Sequence, residues 1–88
     1  IVFANDDLAL GALFQCQGDG ISVPGDLALV GFNGLDMCQV IAPRLTTVQT
    51  PRFDIGQQAG ALLLDRLSGG TMPAPAPLPL RLVQGDTT

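Results

Sequence analysis

The 88-residue sequence contains no His, Lys, Glu, Trp or Tyr. Without His, Lys or Tyr, general acid–base chemistry would fall to Asp, Cys or a group from elsewhere. Basic charge is also scarce. Arg44, Arg52, Arg66 and Arg81 are the only cations against eight Asp, for a net charge of −4. That balance argues against this segment gripping a phosphate backbone, which takes clustered Lys and Arg. Cysteine is limited to Cys16 and Cys38, which form no CxxC pair. With no His, a zinc site would need outside ligands, so both read as buried free thiols of a cytosolic protein. Cys38 has no local base to make it a nucleophile. No glycine-rich phosphate loop occurs, and no apolar run approaches the roughly 18 residues of a membrane span. Neither a metal nor an organic cofactor is expected.

What the sequence does hold is apolar. It is 47% hydrophobic with mean hydropathy +0.38, and it opens directly on Ile1-Val2-Phe3-Ala4. A unit this small leaves much of its surface wet. The excess predicts faces that meet further parts of a larger fold or a partner.

Ile1–Ala4 reads as a short buried strand. Asn5-Asp6-Asp7 supplies an N-cap and first-turn acids to a helix over about Asp7–Gln17, which Gly18-Asp19-Gly20 ends. That helix has almost no polar face. Ala9, Ala12, Leu13 and Cys16 suit packing on a sheet, whereas Leu10 and Phe14 point elsewhere. Either its own chain or a partner subunit could cover them. Leu27–Phe32 reads as a strand covered on both faces, followed by a polar turn at Asn33-Gly34. Met37–Ala42 forms a short helical turn, and Leu45–Gln49 alternates as a strand. Thr50 caps a helix over about Pro51–Leu67, whose Gly56 and Gly60 imply close approach to a sheet. Thr71–Pro79 holds four prolines and must be an extended linker. Leu80–Val83 adds a last strand, and Gln84–Thr88 reads as a frayed terminus.

The alternation predicts an α/β fold with a parallel sheet and flanking helices. Ligands of such folds sit outside the carboxyl ends of the strands. There Asn5, Asp6 and Asn33 offer short side chains suited to hydroxyl groups. The same residue types also cap helices and make turns. Asp6 after a strand also permits an enzyme reading with Asp6 as nucleophile, although helix capping explains the Asp6-Asp7 pair more simply.

Three ordered motifs carry a family resemblance. Phe3-Ala4-Asn5-Asp6-Asp7-Leu8-Ala9-Leu10-Gly11-Ala12, Val23-Pro24-Gly25-Asp26-Leu27-Ala28-Leu29-Val30-Gly31-Phe32 and Pro43-Arg44-Leu45-Thr46-Thr47-Val48 resemble successive segments of the lactose-repressor (LacI/GalR) family of transcriptional regulators. Gln39, Pro43-Arg44 and Thr50-Pro51-Arg52 are most similar to its gluconate-utilisation repressor branch. The resemblance implies a periplasmic-binding-protein-like (type I) lobe. Residues 1–88 would be part of the C-terminal lobe of an effector-binding domain, with the DNA-binding domain and N-terminal lobe outside them. It further implies a cytoplasmic homodimer that is not an enzyme and that represses under control of a sugar or sugar acid, meeting DNA only through the other domain. Asn5, Asp6, Asn33 and Thr50 would face the effector. Leu10, Leu13, Val40 and Ile41, with Phe14 beside them, would face the partner subunit. Many members carry Asp where this chain has Asn33. A carboxylate there would repel an anion and an amide would not, so a sugar acid is the expected ligand. A sugar-binding transporter subunit with the same two-lobed fold is the alternative.

Overall fold

A computed structural model describes all 88 residues, which divide into two compact units. Residues 1–50 and 81–88 form the first, and residues 51–80 form the second. The sequence suggested a piece of one lobe; the structure has a division at Thr50/Pro51 and again at Leu80/Arg81. In chain order the elements are α1 (Asp6–Asp19), β1 (Val30–Asn33), α2 (Met37–Val40), β2 (Thr46–Gln49), α3 (Arg52–Leu67) and β3 (Arg81–Val83).

The sheet belongs to the first unit and runs β1-β2-β3, with β1 parallel to β2 and β3 antiparallel to it. The expected opening strand is reduced to a single parallel bridge, Val2 to Val30. Val30 N–H donates to Ile1 and Phe3 N–H to Val30, after which the chain turns into α1. That helix starts as its sequence demands. Asn5 is extended, and its Oδ1 accepts Leu8 N–H at 2.9 Å. The helix stops where Gly20 takes the left-handed conformation, at φ 71°.

Ala9, Leu10, Leu13, Leu29, Cys38 and Leu45 make the core, with Phe3, Ala12, Val23, Leu27, Leu35 and Ile41 around it. Leu10 therefore does not point away from the sheet side. Three residues before Leu13, it lies on the same helix face. Leu10 and Leu13, expected at a subunit interface, are filled by the chain's own packing, while Phe14 remains 53% exposed.

β1 is shorter than its apolar run because Leu29 bonds the chain terminus instead, donating N–H to the Thr87 carbonyl at 2.9 Å. The terminus is not frayed. Thr87 is fully buried, Gly85 N–H donates to Thr46 Oγ1, and Asp86 N–H donates to the Arg44 carbonyl. Buried backbone groups need partners, and residues 84–88 supply them to segments some 40 positions away.

In the second unit, α3 buries no side chain, and a Cβ at Gly56 or Gly60 would meet nothing within 4 Å. Thr50 does not cap the helix. Pro51 holds that position with no side-chain cap bond, and its ψ of 64° carries the chain into the first turn. Asp65 and Arg66 fasten the following segment, accepting Met72 N–H at 2.9 Å and donating to the Met72 carbonyl at 2.6 Å. Residues 70–80 have no regular structure, as their prolines require. An apolar groove of about 270 Å³ lies between Ile55, Ala59 and Leu62 of α3 and Pro75, Pro77 and Leu78.

Candidate functional site

Strand register brings the polar loop residues to one edge. Val2 lies beside Val30 and Val30 beside Thr46, all parallel. Counting three residues forward along each segment reaches Asn5, Asn33 and Gln49, with Thr50 one further. The carboxyl edge of the sheet thus carries three amides and a hydroxyl contributed by three separate stretches of sequence.

Asn33 closes β1 at φ 115°, the one non-glycine residue with positive φ. Asn tolerates this region better than most side chains. Gly34 follows at φ 71°, where a Cβ would press on the backbone and side chain of Gln49 at 2.8–2.9 Å. The half-buried Asn33 amide makes no hydrogen bond to the chain, so its donor and acceptor groups are both free. Thr50 Oγ1 is buried and likewise has no partner. A buried hydroxyl without a partner costs about 1–3 kcal/mol, which an incoming polar ligand would recover. Asn5 spends its Oδ1 on the cap and keeps its Nδ2 donors.

Asp6 differs from the other three. It is 0% exposed. Its Oδ2 accepts Leu35 N–H at 2.7 Å, and its Oδ1 accepts the Thr47 hydroxyl. The buried Cys38 thiol lies near the same carboxylate. The expectation that Asp6 faces the effector is therefore corrected. The first turn of α1 points its side chain under the loop, where protein donors occupy it. The same burial removes Asp6 as an accessible nucleophile. Cys38 is no better placed. Burial foremost, then the charge and hydrogen bond of Asp6, push its thiol up to about 11. Thiolate chemistry near neutral pH is suppressed accordingly. Sequence reasoning missed Thr47, Cys38 and Gly31 as neighbours of Asp6. Alternation in Leu45–Gln49 places Thr47 on a strand but does not say which loop it meets.

At the other edge of β2, Arg81 donates from Nε and Nη2 to Gln49 Oε1 at 3.2 and 2.9 Å. What the carboxyl edge offers chemically is a set of directional hydrogen-bond donors and acceptors.

A family profile described as a periplasmic binding protein-like domain matches residues 1–88. The HTH-type transcriptional regulator GntR of Escherichia coli is 51% identical over 65 residues, covering 74% of this chain and 20% of that protein. The chain spans about one fifth of the length of the curated relatives it matches. Among solved structures, a LacI family transcriptional regulator from Enterococcus faecium with bound ribose superposes with a TM-score of 0.86 at 35% identity, over 99% of this chain and 33% of that one. The Lac repressor dimer bound to operator and the anti-inducer ONPF superposes with a TM-score of 0.87 at 31% identity, over 99% of this chain and 30% of that one.

Proposed function

This chain belongs to the LacI family of transcriptional regulators, within the periplasmic binding protein-like domains, and from that membership we propose that it is the effector-sensing part of a DNA-binding repressor. The observation that carries the proposal is the pairing of a free Asn33 amide with an unpartnered, buried Thr50 hydroxyl at the carboxyl edge of parallel strands. Polar groups left unsatisfied in a folded chain are groups a ligand can satisfy. Asn5 contributes donors from the neighbouring loop. The ribose in the Enterococcus faecium regulator supports a sugar-like ligand. The regulators matched give the transporter alternative no support.

The effector proposed is a sugar acid. Asn33 presents an amide, which bonds a hydroxyl or a carboxylate without repelling the latter. DNA is met through a domain outside these residues, in keeping with the net charge of −4 here. Effector and operator affinities are then reciprocally coupled. The parent works as a homodimer in the cytoplasm, as the operator-bound Lac repressor dimer supports. No helix is long and apolar enough to cross a membrane. Exposed Phe14 and Val40, with half-buried Ile41, supply the apolar surface for the partner copy, and Leu10 and Leu13 support it from beneath.

Calorimetry on the full-length regulator with gluconate and with ribose tests this reading. Gluconate is expected to bind and to shift operator affinity. Tight binding of ribose with none of gluconate would overturn the sugar-acid assignment. Binding of neither, with operator affinity unmoved by both, would overturn effector sensing at this edge.

A further inference from the structure

We infer that Asp6 is a positioning residue for the effector edge: without touching ligand, its carboxylate holds the Asn33–Leu35 loop in the geometry that presents the Asn33 amide. The inference rests on the effector reading of Asn33 given above, and it assigns Asp6 a different task from that of Asn5, Asn33 and Thr50.

The geometry is a clamp on two successive amides. Leu35 N–H donates directly to Asp6 Oδ2 at 2.7 Å. Gly34 N–H donates to Thr47 Oγ1 at 3.2 Å, and that hydroxyl in turn donates a hydrogen bond to Asp6 Oδ1. Both amides of the residues after Asn33 are thus referred to one side chain. Asn33 itself stands at φ 115°, a strained conformation that a non-glycine residue keeps only where its surroundings impose it. The clamp is what imposes it.

Three further observations show that the surroundings are built around this carboxylate. It is fully buried, yet none of the four arginines pairs with it. Its partners are neutral donors and the first turn of α1, which favours negative charge. Burying a carboxylate without a cation is costly, and well-packed apolar side chains would stabilise a fold more simply. β1 makes room for it with Gly31, whose added Cβ would collide with Asp6 Oδ1. The buried Cys38 thiol lies near it, at the start of α2. One side chain therefore joins α1, β1, the β1–α2 loop and β2 at the point where Asn33 emerges.

An Asp6→Asn variant keeps the shape but replaces one acceptor oxygen with a donor. Leu35 N–H and Thr47 O–H can then no longer both be satisfied. The test measures the full-length regulator in two ways. First, amide hydrogen exchange without ligand: Gly34 and Leu35 are expected to exchange about tenfold faster in Asp6→Asn, while Leu13 and Leu29 are unchanged. Second, calorimetry with gluconate and ribose: whichever binds the native protein is expected to bind Asp6→Asn about tenfold more weakly. In an Asn33→Ala background the same substitution is expected to change affinity by less than about twofold, because the effect passes through Asn33. In a Thr50→Ala background the full loss should remain.

Unchanged exchange at Gly34 and Leu35, or an equal loss of affinity with and without Asn33, would overturn the proposal. If neither sugar binds the native protein, the effector reading falls and exchange alone decides whether the clamp exists. If Asp6→Asn does not fold, Thr47→Val takes its place. It cuts only the relay, so Gly34 is expected to exchange faster while Leu35 stays protected; protection of both would overturn the clamp.

Discussion

Thr87 donates its hydroxyl to the carbonyl of Leu29 at 2.7 Å, across 58 positions of chain. The same oxygen accepts Thr46 N–H at 3.0 Å. One buried side chain thus ties the approach to β1 to the start of β2. Replacing it with the isosteric Val leaves a buried carbonyl and a buried amide without partners. Thr87→Val is expected to cost about 2–4 kcal/mol of stability, and Thr87→Ser less than half of that. Urea melts of the full-length protein measure both.

Arg44 and Asp86 hold the same terminal segment from outside. The guanidinium bonds Asp86 through Nε at 3.2 Å and Nη2 at 3.3 Å, and Arg44 N–H adds a third bond at 3.0 Å. The Arg44 side chain and then its backbone hold the Asp86 carboxyl below the usual carboxylate range. A depressed folded value means that the contribution is present above the ordinary range, about pH 4. It is lost as pH falls through the lowered value. Both groups are about half exposed, so the effect is local. Amide exchange at Asp86 and Thr87 is expected to accelerate below about pH 4, and to show no such step in Asp86→Asn.

Cys38 gives the opposite pH dependence. Burial, then Asp6, raises its thiol from 9.0 to about 11. Stability linked to the neutral thiol is therefore complete below about pH 9 and declines as pH rises towards 11. The loss is on the order of 2 kcal/mol. Comparing urea midpoints at about pH 8 and about pH 10.5 for the native protein and Cys38→Ala isolates it; the native protein should lose more.

Apolar residues on and beside α1 separate into two groups that substitution can distinguish. Leu13 is 1% exposed, whereas Phe14 is 53% and Val40 82% exposed. Leu13→Ala is expected to destabilise the fold by about 2–5 kcal/mol. Phe14→Ser with Val40→Ser is expected to leave the melt within about 1 kcal/mol and to weaken self-association of the full-length protein. Sedimentation equilibrium reads the second effect.

Residues 1–88 by themselves are expected to melt without a cooperative transition. No side chain of α3 is buried, Phe53 and Leu67 are 80% and 75% exposed, and Val2 at the start of the chain is 75% exposed. Scanning calorimetry on the 88-residue chain checks this; a sharp endotherm would contradict it.

Much of the local structure was legible because it depends on neighbours in sequence. Asn5 as cap, Gly20 as stop, Pro43 after α2 and the prolines beyond residue 72 act through backbone torsions and local hydrogen bonds. Thr50 shows the limit. A Thr-Pro pair suits a helix start, but here Thr50 ends the first stretch of the sheet unit and its hydroxyl is left unpartnered. Residues 84–88 show it again, since their polarity suggests fraying and only distant carbonyls and amides make them buried partners.

The sequence alone determined the α/β alternation, the carboxyl-edge loops and the family, because periodicity, capping and ordered motifs are read along the chain. Tertiary structure alone decided the work of each polar group. Asp6, beside Asn5 in sequence, turns beneath the β1–α2 loop to serve Leu35 and Thr47, while the Asn33 amide stays free. The direction in which a carboxylate points depends on donors 29 and 41 residues away. Burial makes those distant donors, and not the neighbouring residues, its partners.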